Sequence, residues 1–179
     1  GAAVGAAPKP APTPNAEYTA EAVARLHGGA QLLLVADNRL SREVALELLA
    51  DCGLTIDTAE NGLQAVAMAR TTDYHAVLMD LQMPGLDGLA AIQQIREEAP
   101  QARILVLTTY QADARAWQAL KAGAAGYLLK SALRTCLIDA IRAVHGGGRW
   151  IPSEVAIEIA THATDEKLTE REAEVLCLL

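Results

Sequence analysis

Four chemically useful side chains close four apolar runs of this sequence. Asp37 follows "QLLLVA", Asp80 ends "HAVLMD", Thr108 follows "ILVL" and Lys130 follows "AGYLL". Singly they are ordinary. A strand-ending Asp more often caps a helix or shapes a turn than reacts, and a strand-end Lys is usually solvated. Brought together they are another matter, because two carboxylates, a hydroxyl and an ammonium can hold a hard cation and a phosphoryl group. Crowded carboxylates repel each other, and a cation such as Mg²⁺ relieves that repulsion while keeping them ionised. An ionised Asp80 could then attack phosphorus as a nucleophile and become an aspartyl phosphate.

Whether the four meet depends on the elements that carry them. From residue 31 the pattern alternates between short apolar runs and stretches with apolar residues at helical spacing. "QLLLVA", "LTIDTA", "HAVLMD", "ARILVLT" and "AGYLLK" read as strands. "SREVALELLADCG", "GLQAVAMAR", a segment over roughly 88–98, "DARAWQALKAGA" and "LRTCLIDAIRAVHGGG" read as helices, several of them stopped by glycine. Five strands each followed by a helix predict a parallel sheet covered on both faces, with right-handed crossovers in a doubly wound layout. Such sheets bind ligands beyond the C-terminal strand ends, where the winding reverses, and all four residues fall at that edge.

At these residues the resemblance to a known family is plain. "LLLVADN", "VLMDLQMPGLDG", "VLTTY" and "AGYLLK", in that order and with twenty-two residues from Thr108 to Lys130, resemble the receiver domain of a two-component response regulator over residues 31–148. The resemblance implies a flavodoxin-like (βα)5 fold, α/β, with strand order 2-1-3-4-5. It implies that Asp80 accepts a phosphoryl group from a histidine kinase. Mg²⁺ would be held by Asp37, Asp80 and the backbone carbonyl of Gln82. Lys130 would pair with the phosphoryl oxygens, Thr108 would move in to hydrogen-bond them, and Tyr127 would follow as the turning aromatic of the switch. The expected role is that of a phosphoacceptor with Mg²⁺-dependent self-phosphorylation and dephosphorylation chemistry, rather than an enzyme.

The sequence departs from the family at one position. Two adjacent acids normally follow the first strand, and here Ala36 stands in place of the first. At about 5 Å from a dication a carboxylate contributes roughly 2 kcal/mol at bulk dielectric and roughly 7 at an effective value near 20, offset in part by desolvation and carboxylate repulsion. Weakened Mg²⁺ binding and slower phosphorylation are therefore expected of a site that still works. The alternatives are a receiver fold that acts by dimerisation or other contacts without phosphorylation, and a receiver fragment of a hybrid histidine kinase.

The two halves also resemble different subgroups. "LLLVADNRLSREVALELLADCGLTIDTAENGLQAV" resembles receivers attached to hybrid sensor kinases, and "ILVLTTYQADARAWQALKAGAAGYLLK" resembles the NarL/LuxR group. A mosaic chain of this kind would meet itself where the first and last receiver helices touch, over 41–52 and 133–145, and its side chains there should interlock imperfectly.

The remaining segments frame the receiver. Residues 1–30 begin "GAAVGAAPKPAPTPNA", a flexible Ala/Pro-rich linker. Residues 149–167 are expected to form a linker helix. Residues 168–179, "LTEREAEVLCLL", resemble the first helix of a LuxR-type helix-turn-helix, with Thr169 and Glu172 as a capping box. DNA reading needs the second helix of such a domain. DNA binding is thus expected of a longer relative and not of these residues, while exposed apolar positions in the tail favour a homodimer. Composition agrees with a signalling role: a net charge of −7 argues against nucleic acid or anionic membrane as the main partner. Hydrophobic residues make up 51% of the chain with no Phe, so the core must be Leu, Ile, Val and Ala. No run approaches about 18 apolar residues and no leader pattern opens the chain, so a cytoplasmic protein with reduced core cysteines at 52, 136 and 177 is expected.

Overall fold

The structure, a computed structural model, describes residues 29–109, 114–153, 156–157 and 160–161. The expected tail helix over 168–179 and all of the N-terminal linker but Gly29 and Ala30 lie outside the described residues; the Gly29 N–H donates to the Gly53 carbonyl and the Ala30 carbonyl accepts from Thr55. Five parallel strands, β1 (Gln31–Val35), β2 (Thr55–Ala59), β3 (Ala76–Asp80), β4 (Ile104–Thr108) and β5 (Gly126–Leu129), form one sheet in the order β2-β1-β3-β4-β5. The helices between and after them are α1 (Arg39–Leu49), α2 (Gly62–Thr71), α3 (Gly88–Glu98), α4 (Ala114–Ala122) and α5 (Leu133–His145).

The inner strands β3 and β4 are buried at every residue, as their unbroken apolar runs require when helices cover both faces. Edge strand β2 alternates apolar with polar residues and is only partly covered. Helices α1, α2 and α3 start where short polar side chains take up free backbone donors. Asn38 accepts from the Leu40 and Ser41 N–H groups, Asn61 from Gln64 and Asp87 from Ala90. Gly53, at a φ of 64°, takes the left-handed conformation that ends the turn after α1.

Side chains alternate between two cores. Leu33, Val35, Val77, Met79, Ile104, Val106 and Tyr127 pack beneath α2, α3 and α4. Leu32, Leu34, Leu78, Leu105, Leu107 and Leu128 pack beneath α1 and α5. Cys52 is buried in the second core, and burial with the neighbouring Asp51 pushes its thiol pKa up, which suits an inert packing residue.

Two gaps open on the α1–α5 face. A cleft of about 190 Å³ opens at its upper end and a much smaller one, lined by Leu32, Ile138 and Ile141, at its base. A larger groove of about 780 Å³ nevertheless opens between the lower ends of α2 and α3, so the gaps do not single out the α1–α5 contact as a seam.

After α5 the chain does not enter a helix at 149 as expected. Residue 150 instead pairs with the edge of β5 through an isolated parallel bridge to Gly126, and helical residues begin at Ser153, just after Pro152. Pairing holds this segment extended, and Pro152 is placed where a missing N–H costs the helix nothing. Among the described residues, no helix is long and apolar enough to cross a membrane.

Candidate functional site

Asp80 closes β3 at the centre of the sheet, with 2% of its surface exposed. A carboxylate buried to that extent needs partners. Lys130, which follows β5, supplies the ion pair, its Nζ standing 2.5 Å from Asp80 Oδ2. The Gln82 N–H donates to Oδ1 at 3.0 Å, folding the chain back over the strand end. Asp80 is thus presented by a rigid strand, countered by one cation and oriented by one amide.

The loop after β3 is built to hold this geometry. "MPGLDG" turns at Gly85 (φ 80°) and enters α3 at Asp87, whose Oδ1 caps the helix while Oδ2 accepts from Arg115 of α4 at 2.7 Å. Gly88 passes so close to Asp80 that a Cβ there would overlap the Asp80 carbonyl oxygen and lie 2.7 Å from Leu81 Cα. Only glycine lets α3 begin this near the strand end.

On the other side, register places β1 beside Asp80. Val35 pairs with Met79, so the next position along, Ala36, stands next to Asp80 and Asp37 lies one residue beyond. Ala36 is buried (1% exposed) and Asp37 is exposed. The backbone here is held from α1. Arg42 donates to the Ala36 carbonyl at 2.6 Å and to the Asp37 carbonyl at 3.0 Å, and its other nitrogen reaches Glu60 after β2 at 3.0 Å. Nothing in the sequence pattern singled out Arg42, which reads as the solvated face of an amphipathic helix. The cleft at the top of the α1–α5 face adjoins this loop, lined among others by Leu34, Ala36, Val44, Leu107, Lys130 and Leu133.

Thr108 ends β4, one position past the residue that pairs with Asp80, and is 1% exposed. Tyr127 lies in β5 opposite Val106, fully buried in the three-helix core. The sheet therefore brings Asp80 and Lys130 into contact and sets Thr108 and Asp37 on the flanking strand ends, while Tyr127 lies further down its strand.

The groups expected to hold a divalent cation, the Asp37 and Asp80 carboxylates and the Gln82 carbonyl, are all oxygens. That set suits Mg²⁺ in kind. It is sparse, since among the described residues no three His, Cys, Asp or Glu side chains gather where they could hold a metal. Ala36 occupies the position from which another carboxylate would complete such a group.

Comparison with known proteins agrees with this geometry. Residues 32–142 match the response regulator receiver domain family. The chain is 34% identical over 158 residues to the response regulator UvrY of Escherichia coli K12, covering 83% of this chain and 72% of that one. Its fold superposes on a LuxR-family two-component response regulator from Aurantimonas sp. SI85-9A1 with a TM-score of 0.70 and 34% identity, over 76% of this chain and 99% of that one. It also superposes on the receiver domain of the sensor histidine kinase PA1611 from Pseudomonas aeruginosa PAO1, a structure with a magnesium ion coordinated in its active-site cleft. There the TM-score is 0.62 with 32% identity, over 66% of this chain and 99% of that one.

Proposed function

The chain belongs to the response regulator receiver family, and from that premise we propose that Asp80 is its phosphoacceptor, loaded by a histidine kinase. The observation that carries the reading is the buried Asp80 carboxylate held at a strand end by Lys130. A carboxylate oxygen of Asp80 attacks the phosphorus of a phosphohistidine. The oxygen–phosphorus bond forms as the nitrogen–phosphorus bond breaks, and the imidazole nitrogen leaves with its electron pair and takes up a proton. Lys130 exchanges its pairing with the carboxylate for pairing with the phosphoryl oxygens, which adds charge-assisted hydrogen bonds as the group arrives.

Asp37, Asp80 and the Gln82 carbonyl would hold Mg²⁺, which when bound offsets the negative charge of the carboxylates and the phosphoryl oxygens. Thr108 reaches toward the new group, and Tyr127 turns into the space it leaves, so that added charge becomes a packing change. In this reading residues 1–30 precede the receiver as a linker, 31–148 are the receiver, 149–167 link it onward and 168–179 are the start of a LuxR-type DNA-binding unit. The output in a longer relative is transcription. In these residues the apolar tail favours a homodimer.

Ala36 favours a second reading, a receiver that acts through contacts without phosphorylation. Beryllofluoride separates the two, because it forms a phosphoryl mimic only on a competent carboxylate. A bound-fluoride signal by fluorine NMR in the presence of Mg²⁺, absent in Asp80→Asn, is the expected result. No bound fluoride at saturating beryllofluoride and Mg²⁺ would favour the contact-only reading.

A further inference from the structure

The segment after α5 is stitched to the one strand edge that carries the proposed switch aromatic. Trp150 N donates to the Ala125 carbonyl at 3.2 Å, and Tyr127 N donates to the Trp150 carbonyl at 2.8 Å. Trp150 is 4% exposed and joins the α1–α5 core, while the next residue, Ile151, packs against the three-helix core. The segment thus straddles the free edge of β5 with one side chain on each face of the sheet.

Gly126 makes room for it: a Cβ there would stand 2.8 Å from the Trp150 carbonyl oxygen, a backbone atom that cannot swing aside. Past Pro152 the chain turns helical, with the Ala156 N–H donating to the Pro152 carbonyl at 2.9 Å, and Ile157 of that turn is 70% exposed.

We propose that residues 149–151 are an output strand, whose pairing with β5 transmits the position of Tyr127 to the helical segment that follows. The inference rests on the reading of Asp80 as phosphoacceptor and Tyr127 as the aromatic that turns. Its physical basis is that one residue answers to both ends. The Tyr127 ring lies in the core below the site, and the Tyr127 amide is one of only two hydrogen bonds in the bridge. A single bridge is the least cooperative pairing in a sheet, so it opens at lower cost than any of the five strands. Turning the ring displaces β5 at that amide, and the bridge is the pairing that gives. Trp150 then loses its seat, and the helical turn with Ile157 loses the bridge that anchors it to the receiver.

The test uses the full chain carrying Trp117→Phe, so that Trp150 is the remaining tryptophan. Beryllofluoride and Mg²⁺ are added, bound fluoride is followed by fluorine NMR, and amide exchange and Trp150 emission are read on the same samples. With fluoride bound, exchange at the Tyr127 and Trp150 amides should rise about tenfold and the emission should shift to the red, while β1 and β3 amides stay protected. Tyr127→Ala should still bind fluoride but lose the Trp150 response. Gly126→Ala should shift the emission before any ligand is added. Bound fluoride with no change at Tyr127 or Trp150 overturns the output strand and leaves the phosphoacceptor reading standing. Absence of bound fluoride overturns that reading, and the output strand with it.

Discussion

The two strand ends that flank the site are built to different standards. At the end of β3, Asp80 is buried, paired with Lys130, oriented by the Gln82 amide and braced by a helix that begins within contact of its backbone. At the end of β1, Ala36 offers no polar side chain and Asp37 is exposed; the Arg42 fork holds that loop by its carbonyls. Phosphoryl acceptance needs the first arrangement, since a nucleophile must be fixed and countered before it reacts. Cation binding draws on both. On the proposed reading of Asp80 as phosphoacceptor, the contrast sets a well-braced accepting strand end against a sparsely furnished one beside it. Labelling should therefore be competent but demanding of Mg²⁺.

The largest effect should come from unbalancing the strong side. Lys130→Ala leaves a carboxylate at 2% exposure without its cation. Removing one partner of such a pair costs about 3 kcal/mol, and losing a charged donor to the phosphoryl oxygens slows transfer by about 100- to 1000-fold. Thermal unfolding and timed labelling with acetyl phosphate measure the two separately. Labelling within a few-fold of the parent would mean that Lys130 only stabilises the fold.

Gly88→Ala attacks the brace rather than the pair. The added methyl group meets the Asp80 carbonyl and Leu81 Cα, both backbone, so α3 must shift, at a cost of about 1–3 kcal/mol. A lowered melting temperature with slower labelling is expected, whereas an unchanged melting temperature would show that the strand end is not braced there.

On the weak side the effects should be smaller and should appear in the Mg²⁺ requirement. Arg42→Ala frees the Ala36 and Asp37 carbonyls and should raise the Mg²⁺ needed for half-maximal labelling about tenfold, with the rate at saturating Mg²⁺ nearly kept. Arg42→Lys keeps the charge but not the fork, and should recover little of the loss. Smallest is Ala36→Asp, which restores the family's acid. Its attraction for the cation is offset by repulsion from Asp80 and Asp37, so a gain of about three- to tenfold in apparent Mg²⁺ affinity is expected. A Mg²⁺ titration that does not move in either variant would erase the contrast between the two strand ends.

How much of this could be read in the sequence follows from the range of each interaction. The alternation of apolar runs and helical spacing is local and strong, so all five strands and the helices over 39–49, 62–71, 88–98 and 133–145 were legible from it, while the strand order came from the family resemblance. The convergence of Asp80 and Lys130 was legible too, because parallel topology alone sends both strand ends to one edge. What was not legible depends on side chains meeting across the chain. Arg42 reaching back to Ala36, Asp87 capping α3 while bonding Arg115, and Trp150 laid on the edge of β5 leave no periodic mark. In the last case the sequence reading placed the start of a helix at 149, whereas Trp150 makes an isolated bridge to the edge of β5. Gly126 was the available signal, a glycine inside a strand where another backbone approaches.

Whether Asp80 accepts the phosphoryl group is decided by intact-mass spectrometry after treatment with acetyl phosphate and Mg²⁺. A gain of one phosphoryl group per labelled chain is expected, in a fraction that grows as Mg²⁺ rises and is absent in Asp80→Asn. A chain that gains no phosphoryl group at any Mg²⁺ concentration, or a label that survives in Asp80→Asn, would contradict that expectation.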